Sequence, residues 1–192
     1  MAPRYPKFLS GMFNKETYSD VAIFIRGEKV PAHRLVVCTQ SEYFEKAFQD
    51  KFLEGEQGHI EFNDGSAAAH WRVLEYLYTG DYGDHWQSDR WEDDPEMLRD
   101  ARVYGLADMF FIEGLKKLSA EKLQNKLLLP RPSQVFVDCI QEVYAVTGGL
   151  NPMRSIVAQK AAKKHWDLKK EQVFKDLIRK GGDFVVDLSD SL

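Results

Sequence analysis

One run of five residues, Val21-Ala22-Ile23-Phe24-Ile25, constrains this chain most. It is apolar throughout and mostly β-branched, which predicts a strand. An unbroken apolar strand predicts that both of its faces are covered. Gly27-Glu28 reads as a turn, and Lys29 to Ala32 as the returning strand of a hairpin. Later, His59-Ile60-Glu61-Phe62 alternates and predicts a third strand. So little sheet needs helices to cover it.

Helical spacing supplies them. Between Tyr5 and Thr17, Phe8, Leu9, Met12 and Phe13 form one apolar face of a short helix. A helix this short is marginal alone and must dock on something. Ser41 is placed to cap a helix bearing Phe44 and Phe48. Ala67, Trp71, Leu74 and Tyr78 make an amphipathic helix, and Gly80 supplies its stop. Pro95 to Gln124 reads as helical with a break around Gly105 to Phe111. Pro130-Arg131-Pro132 is the strongest boundary, because proline ends helices and restrains the residue before it. Beyond it, Ser133 is expected to cap a helix bearing Phe136, Ile140, Val143 and Tyr144 that Gly148-Gly149 ends. Asn151-Pro152 opens a helix bearing Met153, Ile156, Val157 and Ala161. Val173, Phe174, Leu177 and Ile178 form the face of the last helix, which Gly181-Gly182 stops. Phe184 to Val186 is expected to pack back, with the final residues frayed.

Charge and composition then exclude whole classes. Twenty-six basic against 30 acidic side chains leave a net charge of −4, which argues against nucleic acid as a partner. No window approaches the ~18 uncharged apolar residues of a membrane span. The start of the chain lacks the apolar core of a secretory signal. Two isolated cysteines, Cys38 and Cys139, fit a reducing intracellular compartment, cytoplasmic or nuclear. The charges are not evenly spread. Asp84 to Asp100 is acidic, whereas Arg154 to Lys180 is basic, and both read as solvated surface. Residues 81–96 form an acidic loop holding Trp86 and Trp91. These tryptophans either make a partner contact or tuck back onto the domain, and the usual burial of large aromatics favours tucking back.

The sequence offers no catalytic constellation. His33, His59, His70, His85 and His165 are scattered without ligand spacing, so no metal site is expected. There is no phosphate-binding glycine loop and no nucleophile elbow. Asp20, His33 and Ser41 form only the kind of trio that any globular chain offers. We therefore expect neither an enzyme nor a cofactor.

Six segments taken in order resemble a BTB/POZ domain. They are Ser19 to Ile23; Val30 to Val37 with Pro31-Ala32-His33-Arg34; Ser41 to Phe44 with Ala47-Phe48; Phe52-Leu53-Glu54 leading to Gly58 through Phe62; Leu74 to Tyr82; and Val103 to Asp108. The flavour is similar to the short BTB proteins common in fungi. The resemblance implies an α+β fold, a small sheet wrapped by helices, followed by a small all-helical C-terminal region. It divides the chain into an N-terminal dimerisation helix (1–17), a BTB/POZ domain (18–128, with the acidic insert at 81–96) and a helical extension (129–192). It also implies a non-enzymatic module that homodimerises through Phe8, Leu9, Met12 and Phe13, with Asp20 and Arg34 as a partly buried ion pair near the interface. An intramolecular staple is the alternative use of that apolar face. Some relatives are adaptors of cullin-based ubiquitin ligases, and Phe52 and Glu54 stand where such adaptors place their cullin contact. Substrate capture would then rest on the C-terminal helices or the acidic loop with Trp86 and Trp91. The other reading is a dimeric scaffold or transcription-associated regulator with no ligase link.

Overall fold

The computed structural model describes residues 7–49, 53–83, 90–149 and 151–192. Its elements run α1 (Lys7–Ser10), β1 (Val21–Ile25), β2 (Glu28–Ala32), α2 (Arg34–Cys38), α3 (Glu42–Ala47), α4 (Leu53–Gln57), β3 (His59–Phe62), α5 (Ala67–Thr79), α6 (Glu96–Met109), α7 (Glu113–Lys126), α8 (Ser133–Val146), α9 (Pro152–Lys163), α10 (His165–Leu168), α11 (Gln172–Lys180) and α12 (Asp183–Ser191). They pack as two compact units, the described parts of 1–94 with 106–116 and of 95–105 with 117–192. No helix among the described residues is long and apolar enough to cross a membrane.

The first unit is built on a three-stranded sheet of order β2-β1-β3. β1 runs antiparallel to β2, with Ile23 opposite Val30, and parallel to β3, with Ile23 opposite Ile60. Parallel neighbours need a crossover, and α2, α3 and α4 supply it. At the hairpin, Arg26 (φ 51°) and Gly27 (φ 80°) both take the left-handed conformation that a tight two-residue turn needs. Val21, Ile23 and Ile25 are buried, whereas Ala22 and Phe24 are half-buried. The expected covering of both faces is thus complete on one face only.

Helix ends follow the polar signals. Ser41 Oγ accepts the Phe44 N–H and donates to the Phe110 carbonyl at 2.7 Å. Ser66 Oγ accepts the Ala69 N–H, and Gly80 (φ 76°) closes α5. Ala68, Val73, Leu77 and Tyr78 are buried along α5, so its apolar face is wider than the predicted stripe. Helix α1 is shorter than predicted. Asn14 (φ 53°) and Tyr18 (φ 61°) are left-handed, which a right-handed helix cannot absorb.

The second unit is all-helical. Met97 and Tyr104 of α6, Leu123 of α7, Ile140 and Val143 of α8, and Val157 of α9 meet Phe174 of α11 and Phe184 of α12 in one core. Each such side chain contributes about 1.5–3 kcal/mol when fully buried. Asn151 Oδ1 accepts the Met153 N–H at 2.9 Å, and Pro152 occupies the first turn of α9, as the sequence predicts. Ser133 does not cap α8: Pro132 holds the cap position, with no side-chain bond. Nor are the last residues frayed. They form α12, anchored by Phe184 and Leu188 and by Arg154, whose Nη1 donates to Asp183 at 2.7 Å. Arg154 is itself buried, with its Nη2 on the Thr147 carbonyl, so one member of the basic stretch is structural rather than solvated.

Candidate protein-interaction surfaces

The N-terminal segment shows how its apolar face is divided. Phe13 is half-buried and packs on Trp71 (ring centroids 4.8 Å apart) and Tyr78 (5.6 Å). Leu9 and Met12 are also half-buried. Phe8 faces solvent and is 67% exposed. Part of the face therefore staples onto α5, while Phe8 has no such cover.

A buried polar relay holds this region. The Thr17 carbonyl is 2.9 Å from His33 Nε2, and Tyr78 Oη is 2.9 Å from both His33 Nδ1 and the His33 backbone N. A carbonyl can only accept, so Nε2 carries the hydrogen. In the neutral ring Nδ1 is then bare and accepts from the Tyr78 hydroxyl, whose oxygen takes the His33 N–H. Burial pushes the Tyr78 phenol up to about 12. This is hydrogen-bond architecture for the α2 entrance, not a nucleophilic trio.

Asp20 and Arg34 lie together but do not form the expected side-chain ion pair. Asp20 Oδ1 accepts the Arg34 backbone N–H at 2.7 Å. It thereby does for α2 what a capping side chain does, since His33 at the cap position makes no such bond. The Arg34 guanidinium turns the other way. Nη1 donates to the Phe48 carbonyl at 2.6 Å and Nη2 to the Gly55 carbonyl at 3.2 Å, with Cζ 5.5 Å from the Phe48 ring centre. The physical reason is satisfaction of helix ends. Carbonyls left over at the end of α3 and within α4 need donors, and a planar fork supplies two.

That bond places α4. Glu54 sits in its first turn and is exposed, while Gly55 beside it is buried. Phe52 lies outside the described residues, as does Trp86. Trp91 is half-buried against Trp71, with ring centroids 6.0 Å apart. The hub that sequence reasoning missed is therefore Trp71, which receives Phe13 and Trp91. Its sign was present: a tryptophan on the less buried edge of an amphipathic helix.

The acidic segment holds a second missed feature. Arg72 is 1% exposed, and its Nη2 donates to Asp93 Oδ1 at 2.7 Å. Its Nη1 lies 3.7 Å from Asp94 Oδ2, and the same carboxylate accepts from Ser66 Oγ at 2.7 Å. Part of the acidic run is thus a buried anchor, not solvated surface. Among the described residues no group of three or more His, Cys, Asp or Glu could hold a metal ion.

Comparison with known proteins bears on this arrangement. The sequence profile of the BTB/POZ domain matches residues 9–127. Kelch-like protein 40 of Xenopus tropicalis is 27% identical over 128 residues, covering 67% of this chain and 19% of that protein. Kelch repeat and BTB domain-containing protein 2 of Pongo abelii is 28% identical over 72 residues, covering 38% of this chain and 12% of that protein. The chain thus spans about a fifth or less of the length of these relatives. Among solved structures, the BTB domain of zebrafish PATZ1 superposes with a TM-score of 0.46 at 19% identity, covering 62% of this chain and 86% of that one.

Proposed function

This chain belongs to the BTB/POZ family, and from that premise we propose a homodimeric protein-interaction module that recruits a cullin-type partner through the α4 region. The family match carries the interaction-module reading, and the comparisons indicate no catalytic family. We assign the module to residues 18–128 and the helical extension to 129–192, of the fungal type and intracellular. The dimer would form through Phe8, Leu9, Met12 and Phe13, with Asp20 and Arg34 nearby. In support, Phe8 is exposed on a helix too short to stand alone, and a second copy would bury it.

The observation that supports the cullin contact is the placement of Glu54. Arg34 fixes the helix that bears it through the Gly55 carbonyl, so the carboxylate is presented on an ordered element. A preorganised acid two positions along the chain from an apolar side chain suits a hot spot. Calorimetric titration with the N-terminal domain of a BTB-recruiting cullin tests this. Saturable binding abolished by both Phe52→Ala and Glu54→Lys is the expected result. No binding by a folded protein overturns the cullin contact and leaves a scaffold without a ligase link.

A further inference from the structure

We propose that the groove between α9 and the turn after α7 docks a short acidic segment of a partner protein, seated by one large apolar side chain. The groove holds about 230 Å³ and is lined by Leu127, Leu128 and Ile156 together with Gln124, Gln159, Lys160 and Lys163. A smaller recess shares Leu127 and Lys160 with it and adds Leu129 and Lys164. Leu128 is 73% exposed and Leu129 59% exposed, so the apolar part of the lining continues to the open surface.

Size narrows the occupant. Pockets for drug-sized molecules begin at about 300 Å³. This one suits a single leucine-, phenylalanine- or tryptophan-sized side chain arriving on a peptide.

Charge sets the remainder of the peptide. No carboxylate lines the groove or the recess, and Lys160, Lys163 and Lys164 take part in no ion pair among the described residues. Burial, together with the charges of Lys164 and Lys163, pulls Lys160 below the ordinary lysine range. An acidic chain relieves that repulsion, whereas a basic one worsens it. The inference rests on the interaction-module reading but on neither the dimer nor the cullin contact.

The test uses the full chain and fluorescein-labelled synthetic peptides of glutamates, each carrying one central leucine, phenylalanine or tryptophan. Parallel arms use the same peptides with lysine for glutamate, with alanine for the anchors, and vesicles of phosphatidylserine and phosphatidylcholine. Saturable binding of the acidic, anchored peptides alone is expected. It should weaken about tenfold in Lys163→Glu and in Leu128→Glu, and fall with salt. Both side chains are exposed, so an unchanged cooperative melt keeps the two variants informative. No saturable binding by any acidic peptide, equal binding of the basic ones, indifference to both substitutions, or binding to vesicles alone overturns the proposal. Cullin titration on the same variants separates its failure from that of the Glu54 contact.

Discussion

At Asp20 the side chain bonds a backbone N–H rather than a guanidinium, and this changes what a substitution should do. Asp20→Ala removes the surrogate cap of α2 and is expected to cost about 0.5–2 kcal/mol in urea unfolding. Asp20→Asn retains an acceptor oxygen and should cost much less, whereas an ion pair would make both changes comparable. His70 gives a pH dependence. Its Nδ1 lies 2.8 Å from the Ser66 carbonyl and its ring stacks on Phe62, centroids 4.7 Å apart. Burial lowers the imidazole below the ordinary value of 6.5. On acidification the unfolded chain therefore takes up the proton first. The stability contribution of neutral His70 is complete above about pH 6.5 and is lost as pH falls below that value towards the lower folded one. His70→Asn keeps a donor for Ser66 without titrating. The expected outcome is a smaller drop in melting temperature between pH 7.5 and pH 5.5 than in the unsubstituted protein.

On the scale of elements, helix α5 collects the most consequence. Its Arg72 is buried against Asp93 and Asp94, and its cap Ser66 is bonded to Asp94 as well. Arg72→Leu leaves the nearly buried Asp94 carboxylate without the guanidinium, and a cost of about 3 kcal/mol or more is expected from denaturant unfolding. Adding Asp94→Asn should restore part of it. The strands, the caps at Ser41 and Asn151 and the break between α6 and α7 were legible in the sequence because each is dictated locally, by alternation, by a hydroxyl or amide before a helix, or by unsuitable backbone. The Arg72 anchor and the redirected Arg34 fork were not legible. Both are decided by which carbonyl or carboxylate lies within reach in three dimensions, and partners 14 to 21 residues away carry no sequence period. The α12 helix was missed for the same reason. Its order comes from Phe184 and Leu188 entering a core assembled by other helices.

For the molecule as a whole, the proposed dimer gives a prediction at the exposed end of the N-terminal segment. Phe8→Asp should halve the mass seen by light scattering and lower the melting temperature only by what association contributed, because Phe8 is 67% exposed within its own chain. An unchanged mass would place the dimer contact elsewhere or remove it. The cluster of Phe13, Trp71 and Trp91 has a different consequence. Two indoles held 6.0 Å apart at an interplanar angle of 57° form a chiral pair of transition dipoles. They should therefore give a split near-ultraviolet dichroism band whose sign follows their mutual twist. Any partner that lifts the N-terminal segment or draws out the acidic segment disturbs that twist, so the protein carries its own optical record of that engagement, with no label attached.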